Sequence, residues 1–152
     1  MIGLALFWGF AASLVFTVVV LLSWRLSPQV WIADVTDGAQ RPDITATTIA
    51  WTSLVTISYL GGGFVAAWLA AGRSDASFVQ AALVAFTAMA IVNLVDLFVV
   101  DIAVYLWLRP SWMAIDGIEM PTDHATHVRG AINGFVIAVP ASLVAAAVSL
   151  AA

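Results

Sequence analysis

FVQAALVAFTAMAIVNLVDLFVVDIAVYLWL, residues 78–108, is the stretch that decides the fold. Wound as an α-helix at about 1.5 Å per residue it would be roughly 46 Å long, against a hydrocarbon core of about 30 Å. It is therefore predicted to span a membrane with tilt or with projection into water. It is also the only membrane-length run in the chain that carries carboxylates, Asp96 and Asp101, and Asn93 stands at its centre. An ionised Asp at mid-bilayer costs from about 2.5 to well over 10 kcal/mol, depending on the reference state, so it is expected to have a partner or a task. At about 100° per residue, Asp96 falls near −60° and Asp101 near +80° from Asn93, a polar arc of roughly 140° with Tyr105 at its edge. That arc should face the interior of a bundle, away from lipid.

The rest of the chain is of the same kind. Of 152 residues, 63% are hydrophobic and 9% charged, with a mean hydropathy of +1.06. Soluble domains carry about 25% charged residues, so the composition is that of an integral membrane protein. There is no Cys, which excludes thiolate metal sites, disulfides and Cys nucleophiles. The five basic residues are all Arg, which excludes a lysine Schiff base and a polybasic lipid patch. A net charge of −4 without a basic cluster argues against a nucleic-acid partner and leaves the lipid bilayer as the expected one.

Three further runs, at about 2–24, 46–71 and 126–151, are long enough to span. Each repeats small residues four apart: Ala5, Gly9, Ser13 and Thr17, then Ser58, Gly62, Ala66 and Ala70, then Gly130, Gly134, Ala138, Ser142 and Ala146. Such stripes let helices approach closely in lipid, where apolar burial gives neighbouring helices no driving force. The sequence thus predicts an all-α polytopic membrane protein: one transmembrane domain over residues 1–152, four helices in a compact antiparallel bundle. Assembly as a homo-oligomer is expected. Gly61-Gly62-Gly63 reads as a tight helix crossing more readily than as a break. The first run is too long for a signal-peptide core and is expected to be a retained helix. Trp24, Trp51, Trp68, Trp107 and Trp112 suit the interfacial belts, and Pro140 should kink the last helix.

The connections carry most of the charge. Asp34, Asp37 and Asp43 lack calcium-loop spacing and read as solvated turn acids, while Trp31 and its apolar neighbours suit the membrane surface. Asp43 or Thr45 is expected to cap the second helix, and Ser74 or Asp75 the third. Arg25, Arg41, Arg109 and Arg129 flank the two long connections and only Arg73 lies on the other side. The positive-inside rule then places both long connections in the cytoplasm and both termini outside.

Three functions remain open. In the first, Asp96, Asp101, Asn93 and Asn133 form an intramembrane site for proton, cation or small-solute transport or channel activity, with Glu119, His127, Asp116 and Arg129 at its loop-side mouth. In the second, His124 and His127, three apart on one helix face, join Glu119, Asp116 or Asp123 around a divalent zinc, iron or manganese ion, in a metal-binding protein or metal-dependent enzyme. The HxxH spacing has no defined third ligand. In the third, Asp101 pairs with Arg109 or Arg129 and fixes the packing of a structural or assembly subunit. A serine hydrolase finds no support, because there is no G-x-S-x-G and no His inside a span.

Asn93-Leu94-x-Asp96, Asp101, Pro110, Ile115-x-Gly117-x-Glu119 and His127-x-x-Gly130 follow one another in that order. This second half of the chain resembles a group of small, mostly uncharacterised bacterial four-helix membrane proteins sharing the pattern NLxD…D…P…IxGxE…HxxG. The resemblance implies the four-helix architecture, a bacterial cytoplasmic membrane and the importance of those residues, but no reaction. Residues 120–124, Met-Pro-Thr-Asp-His, replace a tyrosine-rich segment of the group, which leaves His124 outside the shared pattern.

Overall fold

The apolar runs wind as their composition dictates, since a backbone in lipid must satisfy its own hydrogen bonds. A computed structural model of the chain describes residues 1–32, 43–72, 76–120, 122 and 124–152. Among the described residues there is no strand, and four helices are long and apolar enough to cross a membrane: α1 (Ile2–Leu26), α2 (Ala46–Ala71), α3 (Phe78–Leu108) and α4 (His124–Ala151). Helices α2 and α3 each pack against the other three, and α1 and α4 flank that pair. Four antiparallel passes put both chain ends at one end of the bundle, the terminal end. The α1–α2 and α3–α4 connections lie at the other, the loop end.

Local signals set the helix boundaries. Thr45 caps α2, its hydroxyl accepting the Thr48 N–H at 3.1 Å. A reciprocal box opens α3: Ser77 Oγ accepts from the Gln80 N–H at 3.2 Å, and Gln80 Oε1 accepts from the Ser77 N–H at 2.8 Å. The cap is thus Ser77, while Ser74 and Asp75, together with Arg73, Asp34, Asp37, Arg41 and Asp123, lie outside the described residues. At its far end α3 stops where Arg109 turns left-handed (φ 44°) ahead of Pro110, its Nε donating to the Leu106 carbonyl at 2.8 Å. Helix α4 begins at His124, slightly before the expected start, and continues unbroken through Pro140.

In the terminal half the small residues do the packing. Ala67, Ala85 and Ala145, one each from α2, α3 and α4, are wholly buried against one another. Ala5, Ala66, Ala70, Val84 and Ala88 form a second buried cluster, and Ala81, Ala82 and Ala146 a third. The glycine triplet is a crossing: a Cβ on Gly62 would run into Ala12 and one on Gly63 into Met89, while Gly61 faces open space. Ser13, Ser23 and Ser142 turn their hydroxyls back onto the carbonyls of Gly9, Val20 and Val139, so these three buried hydroxyls are paired within their own helices.

Helix α3 departs from the expected winding. It is α-helical only from Phe78 to Val95; from Asp96 to Leu108 it takes the wider π form, whose bonds reach five residues back. The Arg109 N–H, donating to the Val104 carbonyl at 2.9 Å, is the last bond of that kind. The change of winding starts at the first carboxylate.

Candidate functional site

The change has a direct consequence for the acids. In an α-helix, residues five apart are separated by about 140°, which would leave Asp96 and Asp101 at the two edges of the polar arc. When bonds close five residues on, positions four and five apart straddle one face instead. Asp96, Val100, Asp101 and Tyr105 accordingly all line a single cavity of about 680 Å³. The polar arc expected to face the bundle interior does line this space, with Asn93, both carboxylates and Tyr105 at its border, although the winding that brings them there is π and not α.

The cavity occupies the loop half of the bundle. Its innermost lining residues are Phe16 of α1, Leu60 of α2, Asn93 of α3 and Ile137 of α4. Each lies about 10 to 15 residues in from the loop end, roughly 15 to 22 Å along its helix, which is the middle of a core about 30 Å thick. Trp31 and Met113, from the two connections, line the outer end. Thr56 of α2 and Arg129, Gly130 and Asn133 of α4 line the cavity yet are exposed, so it opens along the α2–α4 side.

Every member of the expected intramembrane site borders this space: Asn93, Asp96, Asp101 and Asn133. Asn93 is buried at the floor and its Nδ2 donates to the Ala131 carbonyl across the bundle at 3.4 Å. That approach exists because residue 134 is glycine; a Cβ there would overlap the Asn93 amide. Asp101 pairs with His127, whose Nδ1 lies 3.2 Å from Asp101 Oδ1, and not with Arg109, which turns back on its own helix. Asp96, Thr126 and Arg129 are each engaged with a neighbour of their own.

The expected mouth divides in two. His127 and Arg129 line the cavity, but Asp116 and Glu119 are exposed on the connection and do not. The metal set of Glu119, His124 and His127 does not converge: among the described residues no three His, Asp or Glu side chains come together as ligands. His124 is exposed and His127 is committed to Asp101. The spacing placed the two histidines on one helix face, but the connection does not fold back over it.

Several wall residues were not read from the sequence. Tyr59 lines the cavity, donating its hydroxyl to the Gly134 carbonyl at 2.8 Å, with Phe16 packed edge-on at 6.0 Å between ring centroids. One of only two tyrosines in the chain, in the middle of a span, was a signal comparable to an intramembrane Asn. Trp24, expected in the interfacial belt, is buried and stacks on Trp31 at 5.6 Å, and the Trp31 indole N–H donates to Ser23 Oγ at 3.0 Å. Two buried polar atoms beside the acids have no partner among the described residues: Tyr105 Oη and His127 Nε2, on rings whose centroids are 4.8 Å apart. Comparison with protein-family models, with characterised proteins and with solved structures found no match to this chain.

Proposed function

We propose that this protein passes protons, cations or small solutes across the membrane, using Asp96 and Asp101 as the groups that bind and release them. The observation that carries this reading is the confluence of two carboxylates, two amides and a histidine in one cavity reaching from the loop end to mid-membrane. Polar groups at that depth are costly to maintain, and carboxylate–histidine sets are what proton and cation pathways are made of. With the long connections on the cytoplasmic side, the cavity is the cytoplasmic half of a pathway, reached along the α2–α4 face beside the loop end. The alanine-packed half beyond it is the barrier that must part for passage.

The test is flux. Protein reconstituted in liposomes with an internal pH dye, under an imposed potential or a solute gradient, should show flux above that of empty vesicles. Asp96→Asn should lower it by about tenfold or more, equivalent to about 1.4 kcal/mol on the barrier. Its unfolding midpoint in detergent should stay near that of the wild type. Vesicles no leakier than protein-free controls, or Asp96→Asn and Asp101→Asn variants that conduct like the wild type, would sink the reading.

A further inference from the structure

Buried hydroxyl and imidazole groups are almost always hydrogen-bonded, and each exception calls for an explanation. Tyr105 is 6% exposed, and its hydroxyl has no partner among the described residues. The same holds for His127 Nε2 beside it, and both residues border the cavity. The contact of His127 Nδ1 with Asp101 defines what Nε2 offers. A carboxylate only accepts, so Nδ1 carries a proton, and the neutral tautomer selected by that contact offers Nε2 as an acceptor. A phenol oxygen can accept as well. A single donor placed between them satisfies a lone pair on each.

The surroundings decide what kind of donor. The lining holds two acids, Asp96 and Asp101, against one guanidinium, Arg129. Phe16, Trp24, Tyr59 and Tyr105 are among the residues that line it. Aromatic side chains together with carboxylates favour a cation, and do so more strongly away from water. A volume of about 680 Å³ is far more than a proton needs and is typical of sites for small organic ligands. From these observations we infer that the cavity binds a small organic ammonium ion carrying at least one N–H, held by His127 Nε2 and Tyr105 Oη and balanced by Asp96 and Asp101. This deepens the transport reading and rests on it by naming the solute class. Asp101 acts here as a positioning residue, fixing the imidazole so that its free nitrogen faces the ligand.

Binding in detergent, followed by calorimetry and by quenching of tryptophan fluorescence, separates this inference from the transport reading. Benzylammonium is the probe; benzyltrimethylammonium keeps the charge without an N–H, benzyl alcohol lacks the charge and benzoate reverses it. Benzylammonium should bind saturably at one per chain, more tightly than the other three. Tyr105→Phe should weaken it roughly tenfold, the size of one hydrogen bond to a charged group. The same change should leave benzyltrimethylammonium affinity unaltered, because that ion has no N–H to donate to the hydroxyl. Equal affinity for the quaternary ion, tighter binding of benzoate, no saturable binding by the wild type, or an unaffected Tyr105→Phe variant each overturns the inference. Amine binding without any flux leaves the inference standing and removes transport; Asp96-dependent proton flux without amine binding does the reverse.

Discussion

The two halves of the bundle are built from the same four helices on opposite principles. In the terminal half, alanines and glycines from neighbouring helices meet directly, and Ala67, Ala85 and Ala145 are fully excluded from the surface. In the loop half, large side chains such as Phe16, Trp24, Tyr59 and Tyr105 hold the helices apart around a cavity. Lipid tails are as apolar as any core residue, so close van der Waals contact is what holds helices together there, and contact closeness is set by side-chain size. Where the small stripes run the bundle closes; where they give way to aromatic and polar residues it opens. The stripe on α4 shows the transition. Ala138, Ser142 and Ala146 are buried in the closed half, Gly134 sits at the seam under Asn93, and Gly130 borders the cavity with nothing near it.

If that contrast is right, enlarging a residue should cost most in the closed half. Ala85→Leu adds a branched side chain where Ala67 and Ala145 leave no room. Overpacking of a filled core costs typically 1 to 3 kcal/mol, and this position should reach about 3 kcal/mol. Denaturation in mixed micelles with increasing SDS would measure it. A midpoint within error of wild type would mean that the alanine contacts do not hold this half together.

The seam should respond less in stability and more in function. At Gly134→Ala the new methyl meets the Asn93 side chain, which must rotate away from the Ala131 carbonyl. Losing that contact and repacking the floor should cost about 1 to 2 kcal/mol in the same titration. Flux in liposomes should fall by more than that loss of folded protein explains, because the cavity floor moves. Wild-type flux in this variant would separate Asn93 from the pathway.

The closed half was largely legible in the sequence, and the open half only in part. Spans and small-residue stripes follow from composition and spacing, which fix the topology and which faces meet. Hydrophobic periodicity, the usual guide to the inner face, is lost when lipid and core are both apolar, so only small or polar residues mark a face. Asp96 and Asp101 stand out for that reason; Tyr59, polar at a single atom of a large ring, does not. The relative facing of the two acids depended on assuming α-helical winding, and no residue between 96 and 108 announces the π form. Charge alone points Asp101 toward an arginine, whereas the structure supplies His127 from the first turn of α4. That pairing depends on the length and path of a connection, which spacing along one helix does not encode.

Gly130 offers the sharpest test of the contrast because there the smallest change in stability should accompany a clear change in function. A Cβ on Gly130 meets nothing within 4 Å, although the residue stands only one turn before Gly134 in the same stripe. Read from the sequence alone, Gly130 and Gly134 form a GxxxG pair whose members should be equally intolerant of size. The cavity makes them unequal. Gly130→Leu should unfold within about 1 kcal/mol of wild type, since relief of glycine's unfavourable helix propensity offsets any local crowding. The isobutyl group would occupy space beside Asp96 and His127, lowering flux and benzylammonium binding together. A destabilisation as large as that of Ala85→Leu would show instead that another surface closes over this part of α4, and that the open half is filled by contact just as the closed half is.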